Sequence, residues 1–340
     1  MVAVRWLPSD CLLPNKEGKF MANEEKMKTM IGGQALIEGI LMRGPDKDAI
    51  VLRKEDGLDI QVTDRTLPAK NSVKTYPLIR GVVNFFDAQR TGIRAIFKSS
   101  EDEQDTQEPG KFEKWLTEKI GSEKVNKLIY SFAMIFGIGF SVVLFFLIPM
   151  IVGEFFENLL VKNLVEGATR IVVFVGYMLA IFLIPEMKRV YGYHGAEHKT
   201  IRCYEAKQPL TVENVREHSR LHPRCGTSFL LIVCVISILL FSLATFMLTK
   251  IPFFTALEGT FAYRLVMIAF KLLLIPVVVA LGYEFNRFVG RHDNWFTRAL
   301  SAPGMWFQKM TTCEPDDGMI EVAIAALEAV IPEQEGADQW

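Results

Sequence analysis

Apolar residues are concentrated in four long runs along the chain, and polar residues dominate the segments between them. The runs cover residues 128–152, 169–185, 227–249 and 265–283. Each is close to the roughly 17–25 residues that a helix needs to cross the hydrocarbon core of a bilayer. The pattern predicts an α-helical polytopic membrane protein with four transmembrane helices. The lipid bilayer is therefore its first expected interaction partner.

Two residues interrupt the fourth run, Lys271 and Pro276. An ammonium group at membrane depth is costly unless its side chain reaches the interface or finds a partner. We expect Lys271 to extend toward the lipid headgroups and to have a structural role.

Short alternating segments precede the first apolar run. Residues 49–53 and 59–62 have the composition of strands, and the residues from Glu55 to Gly57 between them favour a hairpin turn. Residues 80–98 place apolar side chains on one face of a helix and basic side chains on its flank. This amphipathic helix is expected either to lie in the lipid headgroup zone or to pack against the strands.

The remaining segments complete the predicted organisation. Residues 1–30 lack the apolar stretch of a secretory signal peptide and contain a second candidate start at Met21, so we expect a disordered extension. Asp316 and Asp317 open a helix that Pro332 ends, and its apolar stripe is expected to be core. The predicted segments are a cytosolic β-rich unit with its amphipathic helix (31–98), an acidic linker (99–111), a four-helix membrane domain (112–283) with a cytosolic His/Cys loop (186–226), C-terminal cytosolic helices (284–332) and a tail (333–340).

Basic residues indicate which side of the membrane each segment faces. The segment between the second and third runs is rich in Lys and Arg, and so are the two segments that flank the four runs. The other two connections carry few basic residues, so the positive-inside rule places both termini and the central segment in the cytoplasm, at the inner (plasma) membrane. A net charge of −1 gives no reason to expect nucleic acid as a partner, and other membrane proteins are further candidate partners.

The central segment holds the strongest chemical pattern. His194, Glu197 and His198 form the H-x-x-E-H pattern of inverted zincins. On a helix the two histidines lie one turn apart on one face and can both ligate zinc. Glu197 would then act as a general base toward water bound to the metal. Gly192 and Gly195 weigh against a helix here, because glycine lowers helix propensity.

More candidate ligands follow this motif. Thr211 favours the start of a helix from Val212 to about Leu221, which would carry His218. Three interpretations stay open: an open catalytic metal site, a closed structural metal site, or a polar loop whose histidines bond to the backbone. The expected ion is a divalent metal, with zinc favoured. The candidate ligands are His194, His198, His218, His222 and Cys225.

A second dense patch spans residues 32–45 and is rich in glycine and turn signals. It lacks the Gly-Lys-Ser/Thr ending of a phosphate-binding loop. Gln34, Glu38 and Arg43 could contribute to the histidine site. The alternative is a turn that is held by an internal ion pair between Glu38 and Arg43.

Taken together, these patches resemble the YqhQ-like family of uncharacterised bacterial membrane proteins. The resemblance extends over about residues 30–332, and its members are commonly labelled as candidate metal-dependent enzymes. The matching stretches are residues 32–45, residues 193–200, residues 210–229 and residues 314–317 with the helix that follows.

The leading hypothesis is a metal-dependent hydrolase, zinc being the expected ion, that acts at the cytoplasmic membrane surface on a membrane-proximal peptide or a lipid headgroup. Glu197 would be its catalytic base. The alternative is a non-enzymatic partner in membrane-protein assembly or quality control, with a structural metal site or none. A transporter fits less well, because the apolar runs contain few ionisable groups.

Overall fold

The computed structural model describes residues 27–65, 72–104, 117, 119, 121–292, 294–334 and 336–339. The chain forms two compact units, each built from separate stretches of sequence. Residues 1–26 of the predicted extension and residues 105–111 of the predicted acidic linker lie outside the described residues. Unit 1 comprises Met1–Glu101, Ile181–Ile232 and Ala280–Trp340, and unit 2 comprises Asp102–Ala180 and Val233–Val279.

Helices account for most of the described chain, with a π-helical turn at Val143–Leu147 and a short 3-10 turn at Val73–Thr75. In chain order the α-helices are α1 (Ile79–Gln104), α2 (Ser122–Val142), α3 (Ile148–Gly153), α4 (Leu159–Phe182), α5 (Pro185–Glu205), α6 (Val212–Glu217), α7 (Gly226–Leu248), α8 (Pro252–Ala256), α9 (Phe261–Leu273), α10 (Ile275–Arg291), α11 (Trp295–Thr311) and α12 (Asp317–Glu328).

Unit 1 contains a four-stranded antiparallel sheet in which each strand pairs with the next along the chain. The predicted strands and turn are confirmed as its last hairpin, where Gly57 adopts a φ of +140°. The glycine-rich patch forms the first hairpin instead of a series of turns, because Ile40 and Met42 alternate into a buried face. The strands are β1 (Gly32–Leu36), β2 (Gly39–Arg43), β3 (Lys47–Lys54) and β4 (Gly57–Asp64).

Helices cover both faces of the sheet. On one face, Ile320 and Leu327 of α12 join Ile40 and Val51 in the largest apolar core among the described residues. The predicted core stripe of α12 is thereby confirmed, and Asp316 caps the helix by accepting the Met319 N–H at 2.8 Å. The position of α12 is set by this burial, since each fully buried aliphatic side chain contributes about 1.5–3 kcal/mol.

The other face of the sheet packs against the amphipathic helix α1, through Ala95. This contact agrees with the packing alternative for that helix, although Phe86 and Ile93 on another side stay exposed. The helix ends at Gln104, six residues beyond its predicted end at Lys98 and inside the predicted linker. Glu and Gln in those residues are good helix formers, so this acidic stretch does not interrupt the helix.

Three helical stretches among the described residues are long and apolar enough to cross a membrane: Lys124–Gly153, Val161–Phe182 and Phe261–Arg291. They coincide with the first, second and fourth predicted runs. The third run is the helix α7, whose described apolar stretch, Ile232–Leu248, is shorter. The structure thus gives three candidate spans and one shorter apolar helix.

The segment between the second and third runs is largely helical. Its histidine motif lies within α5, which has 21 residues. The predicted helix from Val212 to about Leu221 ends earlier, at Glu217, so His218 follows the helix. After Glu217 the backbone of His218 is extended, and the carbonyls of Arg220 and Leu221 accept hydrogen bonds from His198 and Arg202 of α5.

Lys271 does not extend toward the headgroups as expected. Its side chain is 4% exposed, and its Nζ donates to the Glu166 carboxylate at 2.7 Å. Glu166 lies on α4, and the pairing has no signature in the sequence because the two residues are 105 positions apart.

Candidate metal centre

Helix α5 sets the spacing of the central motif. His194 and His198 lie one turn apart, with ring centroids 4.4 Å from each other. Gly195, a poor helix former, lies between them. Packing explains why glycine is needed there, because a Cβ at this position would overlap the carbonyl oxygen of Cys313. The glycine therefore lets the residues after α11 pack directly against the histidine turn.

Backbone carbonyls orient both imidazole rings. Nδ1 of His194 lies 2.8 Å from the Thr311 carbonyl oxygen, and Nδ1 of His198 lies 2.6 Å from that of Arg220. A carbonyl can only accept, so Nδ1 must carry the proton in each ring. When such a ring is neutral its lone pair is at Nε2, which is the arrangement that metal-binding histidines use.

Cys225 supplies a third donor at the same place. It immediately precedes α7, and its Sγ lies 3.2 Å from Nε2 of His194. One donor atom from each of His194, His198 and Cys225 lies within 4.8 Å of the other two. His194 and Cys225 are only partly buried, so the cluster can be reached from its surroundings. Two imidazoles and a thiol fit zinc, and three protein ligands leave a fourth position open.

Glu197 lies beside this cluster with one oxygen held and one uncommitted. Its Oε1 accepts the backbone N–H of Gly33 at 2.8 Å, whereas its buried Oε2 has no hydrogen-bond partner among the described residues. Burial, opposed by the nearby His194, raises the pKa of Glu197 to about 7. A carboxyl group with a pKa near neutrality is suited to accept and release protons.

Nε2 of His198 is a second buried atom without a hydrogen-bond partner in the described chain. Burial is the main reason that the pKa of His198 falls to about 4, so the ring is neutral at physiological pH. Buried polar atoms are rarely left unsatisfied in native proteins. The uncommitted Nε2 and the neutral ring are both properties that a metal ligand requires.

A second row of side chains on α5 holds the segment that carries Cys225. Lys199 donates to the Arg216 carbonyl at 3.0 Å and pairs with Glu314 at 2.9 Å. Arg202 donates to the Leu221 carbonyl at 2.7 Å. Because these bonds fix residues 216–221 against α5, the thiol is delivered to the two histidines.

His222 is close to the cluster but has other partners. Its ring lies 5.6 Å from that of His198, and its Nε2 lies 3.5 Å from the carboxylate of Glu205. The side-chain amide of Gln308 bonds to both its backbone N–H and its carbonyl, each at 2.7 Å. The pKa of His222 is lowered to about 4, mainly by burial. His222 therefore holds its segment against Gln308 and Glu205, and it is not one of the three residues of the cluster.

His218 lies apart from the cluster. Its Nε2 bonds to the side chain of Gln208 at 2.8 Å, at the surface. This placement follows from the early end of α6, which leaves His218 outside any helix.

The three candidates from the glycine-rich patch contact other elements. Gln34 packs against Gly92 of α1, and Arg43 forms ion pairs with Asp48 and Asp87. The internal pair between Glu38 and Arg43 is therefore not formed, because each has a partner on another element or strand.

Glu38 joins the first hairpin to α5. It forms a bidentate ion pair with Arg189 and accepts the Tyr193 hydroxyl at 3.0 Å. The Arg189 guanidinium holds the pKa of Glu38 below its usual value. Glu38 thus fixes the turn of α5 that immediately precedes His194.

The sequence did not reveal several residues that shape the site. Gly33, Thr311 and Arg220 contribute backbone atoms, which leave no side-chain pattern to detect. Gly33 lies in the glycine-rich patch, and a Cβ there would be 2.6 Å from the Leu41 carbonyl oxygen and 3.1 Å from the Glu197 carboxyl carbon. The glycine is thus required for the strand to approach Glu197.

Comparison with known proteins agrees with the family resemblance. The family model described as "Protein of unknown function (DUF1385)" matches residues 76–333. The chain is 31% identical over 324 residues to the uncharacterized protein YqhQ of Bacillus subtilis (strain 168), a match that covers 91% of this chain and 94% of that protein. No solved structure matches the chain.

Proposed function

The chain belongs to the DUF1385 family of proteins of unknown function, and we propose that it is a multi-pass inner-membrane protein with a metal-dependent hydrolase site at its cytoplasmic face. The observation that carries the proposal is the convergence of one donor atom each from His194, His198 and Cys225, beside Glu197 with its uncommitted Oε2.

The membrane placement is supported by the apolar helices. Three stretches have the length and composition of spans, and α7 is a fourth apolar helix of 23 residues. An even number of spans puts both termini and the α5–α6 segment on one side, and the excess of Lys and Arg in those segments favours the cytoplasm.

The proposed chemistry divides the work among named side chains. His194, His198 and Cys225 would hold the ion, and the softness of this donor set favours zinc. Zinc supplies Lewis acidity toward water and toward a substrate carbonyl or phosphoryl oxygen. Glu197 would accept at Oε2 the proton that the nucleophilic water loses and would return it to the leaving group, while the Gly33 N–H keeps its other oxygen in place. The hydrogen bond from each Nδ1–H to a backbone carbonyl fixes the orientation of the two rings.

The substrate class follows from the proposed location at the membrane surface. A membrane-proximal peptide or a lipid headgroup would reach the half-buried side of the cluster, at His194 and Cys225.

A structural metal site is the second candidate, within a protein that assists membrane-protein assembly. The donors come from α5 and from the residue before α7, and the ring-orienting carbonyls come from Arg220, in the same segment as Cys225, and from Thr311 at the end of α11. A metal would therefore join stretches that are distant in sequence, as structural zinc sites do.

Elemental analysis of the purified full-length protein tests the metal site. We expect about one zinc ion per chain in the wild type, and its loss in His194→Ala and in Cys225→Ser. His218→Ala is the matched control, since it removes a surface imidazole outside the cluster and should keep the metal. Equal metal content in His194→Ala and wild type would contradict the proposal.

Glu197→Gln separates the hydrolase from the structural site. We expect it to keep the metal and to reduce headgroup release from phosphatidylglycerol vesicles, or cleavage of a fluorogenic peptide mixture, by about 10²–10⁴-fold. A structural site predicts no hydrolysis by either protein, together with unfolding of unit 1 when a chelator removes the metal. Loss of metal in Glu197→Gln would instead assign the carboxylate to the ion's own ligands.

A further inference from the structure

Among its described residues, unit 2 buries three charged side chains inside its apolar helices. Glu166 and Arg170 lie one turn apart on α4, and Lys271 lies on α9. Their exposed fractions are 7%, 6% and 4%. Charges are expensive within a membrane, where they face a cavity or pair with each other and mark functional sites.

This group has two basic side chains and a single carboxylate, so it carries one excess positive charge. Lys271 is neutralised by Glu166 at 2.7 Å. Arg170 forms no salt bridge with any described residue: its Nε donates to the Phe145 carbonyl at 3.0 Å, and its guanidinium carbon lies 5.4 Å from the ring centroid of Phe241. A carbonyl and an aromatic face hold a guanidinium in place, but they do not supply a full negative charge.

The helices around this group are interrupted. Phe145 lies in the π-helical turn Val143–Leu147, and α9 ends at Leu273, two residues beyond Lys271. The chain then resumes as α10, with Pro276 in its first turn. π-helical turns occur often at functional sites, and broken helices build the ligand sites of many membrane proteins.

We propose that Arg170 and Lys271 form a binding site for a phosphate-type oxyanion within unit 2, with Glu166 balancing the lysine. The planar guanidinium fork matches the geometry of phosphate oxygens, and the lysine adds a second donor. The excess positive charge is the reason for an anion rather than a cation. The site is separate from the proposed metal chemistry and rests only on the proposed membrane placement.

Two sources of this oxyanion are distinguished by using two probes on the full-length protein. Inorganic phosphate is titrated into the protein in detergent by calorimetry. Phosphatidylglycerol is tested in nanodiscs against phosphatidylcholine, with retained lipid counted by native mass spectrometry. Saturable binding of the first indicates a free phosphate, and selective retention of the second indicates a lipid headgroup.

Arg170→Gln should weaken whichever binding is observed by on the order of thirtyfold or more, because it removes one charged partner from a buried site. Arg264→Gln is the matched control. It removes the same charge from the same unit, but Arg264 is already paired with Glu154 at 2.6 Å. Binding should be unchanged in this control.

Arg170→Lys provides a variant that keeps the charge if Arg170→Gln fails to fold. It should bind more weakly than the wild type, because lysine lacks the guanidinium fork. The proposal is overturned if neither probe binds saturably, or if binding in the foldable variant equals that of the wild type. Zinc content should be the same in all these variants, so failure here leaves the metal site unaffected.

Discussion

In unit 1, two side chains of α5 are held by backbone carbonyls, whereas in unit 2 a buried lysine is held by a carboxylate. His198 and Arg202 each donate to the carbonyl of a residue 19 to 22 positions away. In unit 2, Lys271 depends on the single carboxylate of Glu166. A hydrogen bond to a backbone carbonyl fixes the orientation of a ring without help from other side chains. A buried ion pair leaves an unpaired charge when one partner is removed.

This difference bears on what each region can do. A neutral imidazole oriented by a carbonyl presents its lone pair in a fixed direction, which is what a metal ion needs. A lysine that is paired with a carboxylate in an apolar unit can also interact with a bound anion, because an ion pair is less directional than the hydrogen bond that orients a ring. The predictions below test how strictly this distinction holds, from the largest expected effect to the smallest.

Glu166→Gln should have the largest effect on stability. It leaves the Lys271 ammonium buried without its carboxylate, which costs about 3–5 kcal/mol. The measurement is thermal unfolding in detergent, with phosphate absent. Glu154→Gln is the control, because Glu154 and Arg264 are 28% and 35% exposed and solvent screens such a pair, so its loss should change stability little.

The double variant Glu166→Leu with Lys271→Met sharpens this test. Replacing both charges by apolar groups of similar size should restore most of the lost stability, since a buried pair is often neutral relative to an apolar one. A double variant as unstable as Glu166→Gln would contradict the account, because the cost would then not come from an uncompensated charge.

Gly195→Ala should have the next largest effect, and it should act on unit 1. The added methyl overlaps the Cys313 carbonyl, so the turn of α5 must shift, at a cost of about 1–3 kcal/mol. Zinc content should fall as well, because His194 lies on the displaced turn. Gly137→Ala in α2 is the matched control: a Cβ there meets nothing within 4 Å, and alanine should stabilise that helix by up to about 1 kcal/mol.

The contrast between these glycines shows where sequence reasoning succeeds. Long apolar runs and alternating strands have periodic signatures, so three candidate spans, the last hairpin and the core stripe of α12 could be predicted. Gly195 carries no such signature. Its helix propensity argued against α5, and only the approach of the segment after α11 explains why glycine is required there.

The site could be predicted only as far as side-chain chemistry is local in sequence. His194, Glu197 and His198 are recognisable because a helix places them on adjacent turns. Their sequence neighbours His218 and His222 carry the same chemistry, but α6 ends early and Gln308 holds the backbone of His222. Tertiary contacts decide which of these chemically equivalent histidines join the cluster, and sequence spacing does not predict those contacts. The pairing of Lys271 with Glu166 was missed for the same reason.

Tyr193→Phe should have the smallest effect and tests whether the first hairpin orients α5 through one hydrogen bond. Its hydroxyl donates to Glu38, which keeps its ion pair with Arg189 when the hydroxyl is removed, so the loss should be about 0.5–1.5 kcal/mol. Burial raises the pKa of Tyr193 well above its usual value. The hydroxyl therefore stays protonated, and the difference in unfolding temperature should be constant from about pH 6 to pH 9. Tyr76→Phe, at a side chain 59% exposed, should change stability by less than about 0.5 kcal/mol. A Tyr193→Phe variant that loses its zinc would mean that Glu38 positions His194 mainly through this hydroxyl rather than through Arg189.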